Sequence, residues 1–89
     1  MKDIYLEITY RKGRPLAAYL YLNKWGTGKS FETKKVGEGL IMDYDETGWP
    51  IGLEITSPKT VSITKINEVL KKLNVAPVSE KELLPLKAA

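Results

Sequence analysis

The stretch Met42-Asp-Tyr-Asp-Glu-Thr-Gly-Trp-Pro-Ile-Gly-Leu-Glu-Ile55, MDYDETGWPIGLEI, admits two readings, and the choice between them decides the fold. Asp43, Asp45, Thr47, Gly48 and Glu54 fall at the first, third, fifth, sixth and twelfth places of a near calcium-loop pattern. The same letters read as a tight turn between two strands. Three features favour the turn. Thr47 stands where the loop uses an acid or amide, and Pro50 stands where it uses an aliphatic residue. Both flanks alternate with a strand's period of two. In an extended chain rising ~3.3 Å per residue, Glu54 lies about 20 Å from Gly48 and cannot return to a shared ion. The stretch therefore predicts a hairpin turning at Asp45-Glu46-Thr47-Gly48, with Gly48 at positive φ in a type I turn plus bulge.

Outward from this hairpin the period-two pattern continues. Ile4 to Tyr10 alternates, with Ile4, Leu6, Ile8 and Tyr10 on one side and Tyr5, Glu7 and Thr9 on the other. RKGRP supplies a turn in which Gly13 can take positive φ and Pro15 cannot donate to a ladder. Leu16 to Leu22 puts Ala18, Leu20 and Leu22 on one face, and Ala17, Tyr19 and Tyr21 on the other. Phe31 to Val36 is a polar strand whose lysines suit a sheet edge. Leu40 to Tyr44 and Ile51 to Thr56 complete the set around the turn.

After Pro58 the period changes. Ile63, Ile66, Val69, Leu70 and Leu73 form one stripe of an amphipathic helix. Ser62 or Thr60 can cap it, Lys71 and Lys72 suit its last turn, and Asn74 suits a left-handed stop. SEKE, Ser79 to Glu82, is a capping-box pattern that predicts a short helix to Leu84, ended by Pro85. The expectation is an α+β domain of two layers: an antiparallel meander of four to five strands over 1–57, an amphipathic helix over 58–74 packed on its aliphatic face, and a tail over 75–89 with a short helical turn.

Composition narrows the functional classes. The chain has 89 residues, consistent with one domain, and no cysteine or histidine, so thiolate chemistry and imidazole catalysis or ligation are excluded. A domain this small buries roughly 60–65% of its unfolded surface, which leaves room for stabilisation by a partner. No apolar run approaches the ~18 residues of a membrane span, and MKDIYLEITY lacks a signal peptide's apolar core. A soluble, cytoplasmic protein is the expectation. The net charge of +3 does not call for nucleic acid.

Four further constellations bear on function. GTGKS, Gly26 to Ser30, ends like a phosphate loop, but Asn23 stands where its first glycine belongs and no helical stripe follows. Arg11, Lys12, Arg14, Lys24, Lys29, Lys34 and Lys35, with Trp25 and the tyrosines, could suggest a nucleic-acid surface, but Glu32 and Glu38 interleave and a solvated face explains them. Asp43 and Glu54, together outward by parity, could form an acidic site, but no nucleophile, oxyanion arrangement or cofactor motif accompanies them, and pairing with lysines such as Lys35 is the expected role. Lastly, Tyr5, Tyr19, Tyr21 and Ile41 point away from the helix side. Either Val75 to Leu86 folds back over them, or they form an aromatic patch that meets a protein partner or a second copy.

The segment GLIMDYDETGWPIGLEI, Gly39 to Ile55, resembles the signature of domain-of-unknown-function family 2283, small prokaryotic proteins. GRPLAAYLYL resembles that family's earlier block, with Leu16 where family members usually carry an Asp, and the likeness extends toward a longer-tailed subgroup. The family implies the same hairpin. It also implies an antitoxin role, since some members are encoded beside small toxin-like genes. On these grounds the expected function is non-enzymatic, exerted through protein contacts and without a cofactor. A metal-binding protein or enzyme built on Asp43, Asp45 and Glu54 stands third, behind a protein-contact role and an antitoxin role.

Overall fold

The computed structural model describes residues 5–22, 29–75 and 77–87. Its strands are β1 (Tyr5–Arg11), β2 (Arg14–Tyr21), β3 (Glu32–Gly37), β4 (Leu40–Tyr44) and β5 (Pro50–Ile55). Two helices follow, α1 (Ile63–Lys72) and α2 (Glu80–Leu83), and a 3-10 turn over Leu84–Lys87. Of the sequence readings above, those placed on Ile4, Lys24, Trp25 and the glycines of GTGKS lie outside the described residues.

Local chemistry sets each hairpin. Lys12 and Gly13 both hold positive φ, 53° and 78°, the signature of a two-residue turn whose twist matches the strands it joins. At the β4–β5 connection the Gly48 amide donates to the Asp45 carbonyl at 3.0 Å, and the Asp45 amide donates to the Trp49 carbonyl at 2.9 Å. Gly48 has φ of 86°. This is the turn-plus-bulge expected from the sequence, and the calcium-loop reading is not the conformation adopted.

All pairings are antiparallel, in the order β1-β2-β5-β4-β3. An uninterrupted meander would set β2 beside β3; instead β5 enters between β2 and β4. Burial explains the choice. Ile51, Gly52, Leu53 and Ile55 are buried in β5, whereas the side chains of Glu32 to Lys35 in β3 are all exposed. The strand richest in buried positions takes the centre, and the lysine-bearing strand takes an edge. Pro15 lies beyond the β2–β5 ladder, which pairs Ala18 to Tyr21, so its missing N–H breaks no bond there.

The helix starts later than the segment 58–74 suggested. Residues 57–61 form a turn, with the Thr60 and Val61 amides donating to the Ser57 carbonyl. Ser62 then caps α1, its Oγ accepting from the Lys65 amide at 2.9 Å. At the far end Asn74 sits at φ 60°, and the Val75 amide reaches back to the Leu70 carbonyl at 2.9 Å, a left-handed stop of the Schellman kind. Ser79 caps α2 and exchanges hydrogen bonds with Glu82. Pro85 does not end the winding; the chain tightens into the 3-10 turn, which tolerates it.

The core joins Leu20, Leu22, Leu40, Met42, Leu53 and Ile55 of the sheet to Ile66, Val69 and Leu70 of α1 and to Val78, Leu83 and Leu86 of the tail. The 3-10 turn packs on β2. Of the two places open to the tail, it takes the aliphatic face: it extends the helical layer there and does not fold over the tyrosines. Asn67 secures it. Its side-chain amide donates to the Val78 carbonyl at 2.9 Å and accepts from the Val78 amide at 2.8 Å.

Candidate functional site

The register aligns the outward residues of the sheet in two rows. One runs Glu7, Tyr19, Glu54, Ile41, Lys35 across β1, β2, β5, β4 and β3. The next runs Tyr5, Tyr21, Gly52, Asp43, Thr33. The structure therefore brings Tyr19, Tyr21, Ile41, Asp43 and Glu54 onto one face, as strand parity required. The Tyr5 side chain lies outside the described residues.

The two tyrosines are linked diagonally to the rows beside them. Tyr19 leans across β5 over Gly52, and its hydroxyl donates to Asp43 Oδ2 on β4 at 2.6 Å. A Cβ at Gly52 would overlap the Tyr19 ring. Gly52 is not among the positive-φ residues, so space for this ring, and not backbone geometry, is what the glycine provides. The Tyr21 hydroxyl donates to Glu7 Oε1 at 3.0 Å. The two rings meet edge to face with centroids 4.8 Å apart. Burial pushes the Tyr19 phenol well above its ordinary pKa, and the hydrogen bond to Asp43 and the nearby carboxylate charges add to the shift. The phenol therefore stays a donor throughout the neutral range.

The expected pairing of Asp43 or Glu54 with Lys35 is not what forms. Lys35 meets Glu38 at 3.6 Å, while Asp43 is taken by Tyr19. A lysine three residues from an exposed glutamate needs no reach across the sheet. Glu54 stands exposed between Tyr19 and Ile41, with no hydrogen bond or ion pair among the described residues.

Asp45 has a different task. Its side chain is 2% exposed, and Oδ1 accepts from the Thr47 amide at 2.9 Å, the Thr47 hydroxyl at 2.6 Å and the Trp49 amide at 3.0 Å. This is an Asx-type turn closed by one carboxylate oxygen. Asp43, Asp45 and Glu54 do not converge, and among the described residues no three acidic side chains come together as a metal set would. The basic residues are also divided. Arg11, Lys12 and Arg14 surround the β1–β2 turn, while Lys34 and Lys35 lie on the opposite edge strand, four strand spacings or roughly 19 Å away. No described helix is long and apolar enough to cross a membrane.

Sequence reasoning did not single out Gly52, Glu7 or Asn67. Gly52 had one available signal: a glycine inside a strand pattern marks a close approach by something else. For Asn67 the signal was a polar residue flanking the buried stripe of α1, which does not name its partner.

The fold and this face define a two-layer α+β domain whose helices cover one side of the sheet and whose other side carries linked tyrosines and carboxylates. Residues 17–57 match the family described as "Protein of unknown function (DUF2283)", which places this segment in the family the sequence resembles. The match begins within β2 and closes just after β5, so it contains Tyr19, Tyr21, Asp43, Asp45, Gly48, Gly52 and Glu54 and leaves out β1, α1 and the tail. No curated protein and no solved structure matches the chain.

Proposed function

We propose that this protein is a non-enzymatic binding module that receives a protein partner on the outer face of its sheet. The observation that carries this reading is the placement of α1, α2 and the 3-10 turn on the aliphatic face, so that none of the described helices lies over Tyr19, Tyr21 and Ile41, which are half-buried. A face of half-exposed aromatic and aliphatic side chains gains free energy when a partner covers it. The polar groups here engage one another, Tyr19 with Asp43 and Tyr21 with Glu7, an arrangement suited to a firm contact surface and without an evident reacting atom.

Size bears on the kind of contact. Five strands at ~4.8 Å and about six residues at ~3.3 Å make a face of roughly 24 by 20 Å, or about 480 Å². A standard interface buries about 800 Å² per partner. The outer face by itself fits a peptide segment or a transient partner. An antitoxin acting in a prokaryotic cytoplasm is one instance of this reading, with a small toxin as the partner.

The test pairs sedimentation of the purified protein with affinity capture from its host, using the wild type and Ile41→Lys. Loss of a captured partner, or of a self-associated species, in Ile41→Lys supports the reading. A monomer at high concentration whose captured proteins are the same with and without the substitution overturns it. For the antitoxin instance, a gene with no toxin-like neighbour counts against it.

A further inference from the structure

We infer that the occupant of the outer face is a cationic segment of another protein, whose arginine or lysine side chains lie on Tyr19 and Tyr21 among Glu7, Asp43 and Glu54. This rests on the binding reading above and deepens it by naming the partner's chemistry.

Charge decides between a foreign partner and a second copy. The two rows through Tyr19 and Tyr21 carry three carboxylates, Glu7, Asp43 and Glu54, against one cation, Lys35, and that lysine meets Glu38; Arg11 and Arg14 pair four residues beyond Glu7, at the turn end of β1 and β2. The whole chain is positive, at +3, so this face runs against the charge of the protein around it. A twofold dimer through the face would set Glu7, Asp43 and Glu54 of one copy against the same residues of the other. Like charges brought together in a closing interface disfavour that assembly strongly. A basic segment meets the opposite situation and is also drawn in from a distance.

Three carboxylates alone would be a solvated patch. The tyrosines make the difference, because they sit among the acids and are held in place. Tyr19 lies between Glu7 and Glu54 in its row, flanking strands that are together ~10 Å apart, which is the width of one guanidinium stacked on a ring with a carboxylate on either side. A phenol that donates to a carboxylate has a more electron-rich ring, which strengthens its attraction for a cation. Asp43 and Glu7 each use one oxygen for a phenol and make no other hydrogen bond or ion pair among the described residues, so each retains acceptor capacity. Glu54 uses none. Arginine suits this set better than lysine, since its fork can bond a carboxylate while its plane lies on the ring. Both phenols, Asp43 and Glu7 are already tied to one another, so little of their side-chain freedom remains to be lost on binding.

The experiment is a titration of the full chain, followed by amide chemical shifts, with three synthetic hexapeptides of alternating glycine and Arg, Lys or Glu. The Arg peptide is expected to move the amides of Tyr19, Tyr21, Gly52, Asp43 and Glu54, with affinity falling as salt is added. The Lys peptide is expected to bind the same amides more weakly, and the Glu peptide not at all. Glu7→Gln combined with Glu54→Gln should weaken the Arg peptide roughly tenfold. Both sites are exposed and the fold is not at stake, since the glutamine introduced on β1 still offers an amide oxygen to the Tyr21 hydroxyl. Equal binding of the Glu and Arg peptides, shifts confined to other surfaces, or unchanged affinity in the double variant would overturn the inference. The two proposals fail separately. A cellular partner lost on Ile41→Lys but indifferent to the Gln pair leaves the binding module standing and removes the cationic occupant. A dimer that depends on Ile41 does the same, in favour of a second copy.

Discussion

Replacing Gly52 by alanine should destabilise the protein, and should do so only while Tyr19 is present. The new Cβ would overlap the Tyr19 ring, which lies across β5 on its way to Asp43. Overpacking of this kind costs ~1–3 kcal/mol. Swinging the ring aside also gives up the 2.6 Å hydrogen bond to a carboxylate, worth ~1.5 kcal/mol at a half-exposed site, the low end for charged partners. Against this, alanine is favoured over glycine in a strand by ~0.5–1 kcal/mol, and Gly52 has no positive φ to protect. The net expectation is a loss of about 2 kcal/mol. In a Tyr19→Ala background nothing occupies the space, only the backbone preference remains, and the same substitution should stabilise by about 0.5–1 kcal/mol. The sign reverses, with a coupling energy near 3 kcal/mol, at the upper end for residues in contact. Urea unfolding of the four proteins measures it, provided the m-values agree; for a chain this small the wild-type background should lose on the order of 1–2 M in midpoint. Equal effects of Gly52→Ala in both backgrounds would refute the account of Gly52 as a seat for Tyr19.

Three further outcomes are expected. Asp45→Ala removes a nearly fully buried side chain whose oxygen takes three donors from the turn, and should cost about 2–4 kcal/mol in urea unfolding, whereas Asp45→Asn, which keeps an acceptor oxygen, should cost less than half of that. Asn67→Ala should cost about 2 kcal/mol and raise amide exchange at Val78 and Leu83 before that of β5, because both hydrogen bonds between the Asn67 side chain and Val78 are lost. The raised Tyr19 pKa means that the folded protein keeps a proton the unfolded chain releases near pH 10, so this contribution is fully present below pH 10 and stability falls as pH rises above it, by up to about 1.4 kcal/mol per pH unit. Tyr19→Phe should flatten that alkaline slope in pH-dependent unfolding.

Much of the candidate face was legible in the sequence, because strand parity is a local property. Tyr19, Tyr21, Ile41, Asp43 and Glu54 share a face for no reason beyond an alternation with a period of two. How they are joined was not legible. The Tyr19–Asp43 bond spans 24 residues of sequence and crosses the strand between them, and it depends on β5 lying between β2 and β4. Lys35 was expected to serve Asp43 or Glu54, yet Glu38, three residues on in the chain, takes it.

By itself the sequence determined the elements that short-range sterics and hydrogen bonding control. These are the Gly48 turn, the Ser79 cap, a cap for α1 at Ser62 or Thr60, the Asn74 stop, the aliphatic stripe of α1 and the polar character of β3. Each is decided within a few residues, where φ limits and one or two hydrogen bonds outweigh everything distant. The tertiary structure decided the strand order, the side on which the tail packs, and the partners of Gly52 and Asn67. Those follow from competition among distant segments for one apolar layer. β5 takes the centre because it buries the most, and Val78, Leu83 and Leu86 join the aliphatic face because the apolar surface there is already continuous. The tyrosine and carboxylate face is the side that this competition leaves without a described helix over it.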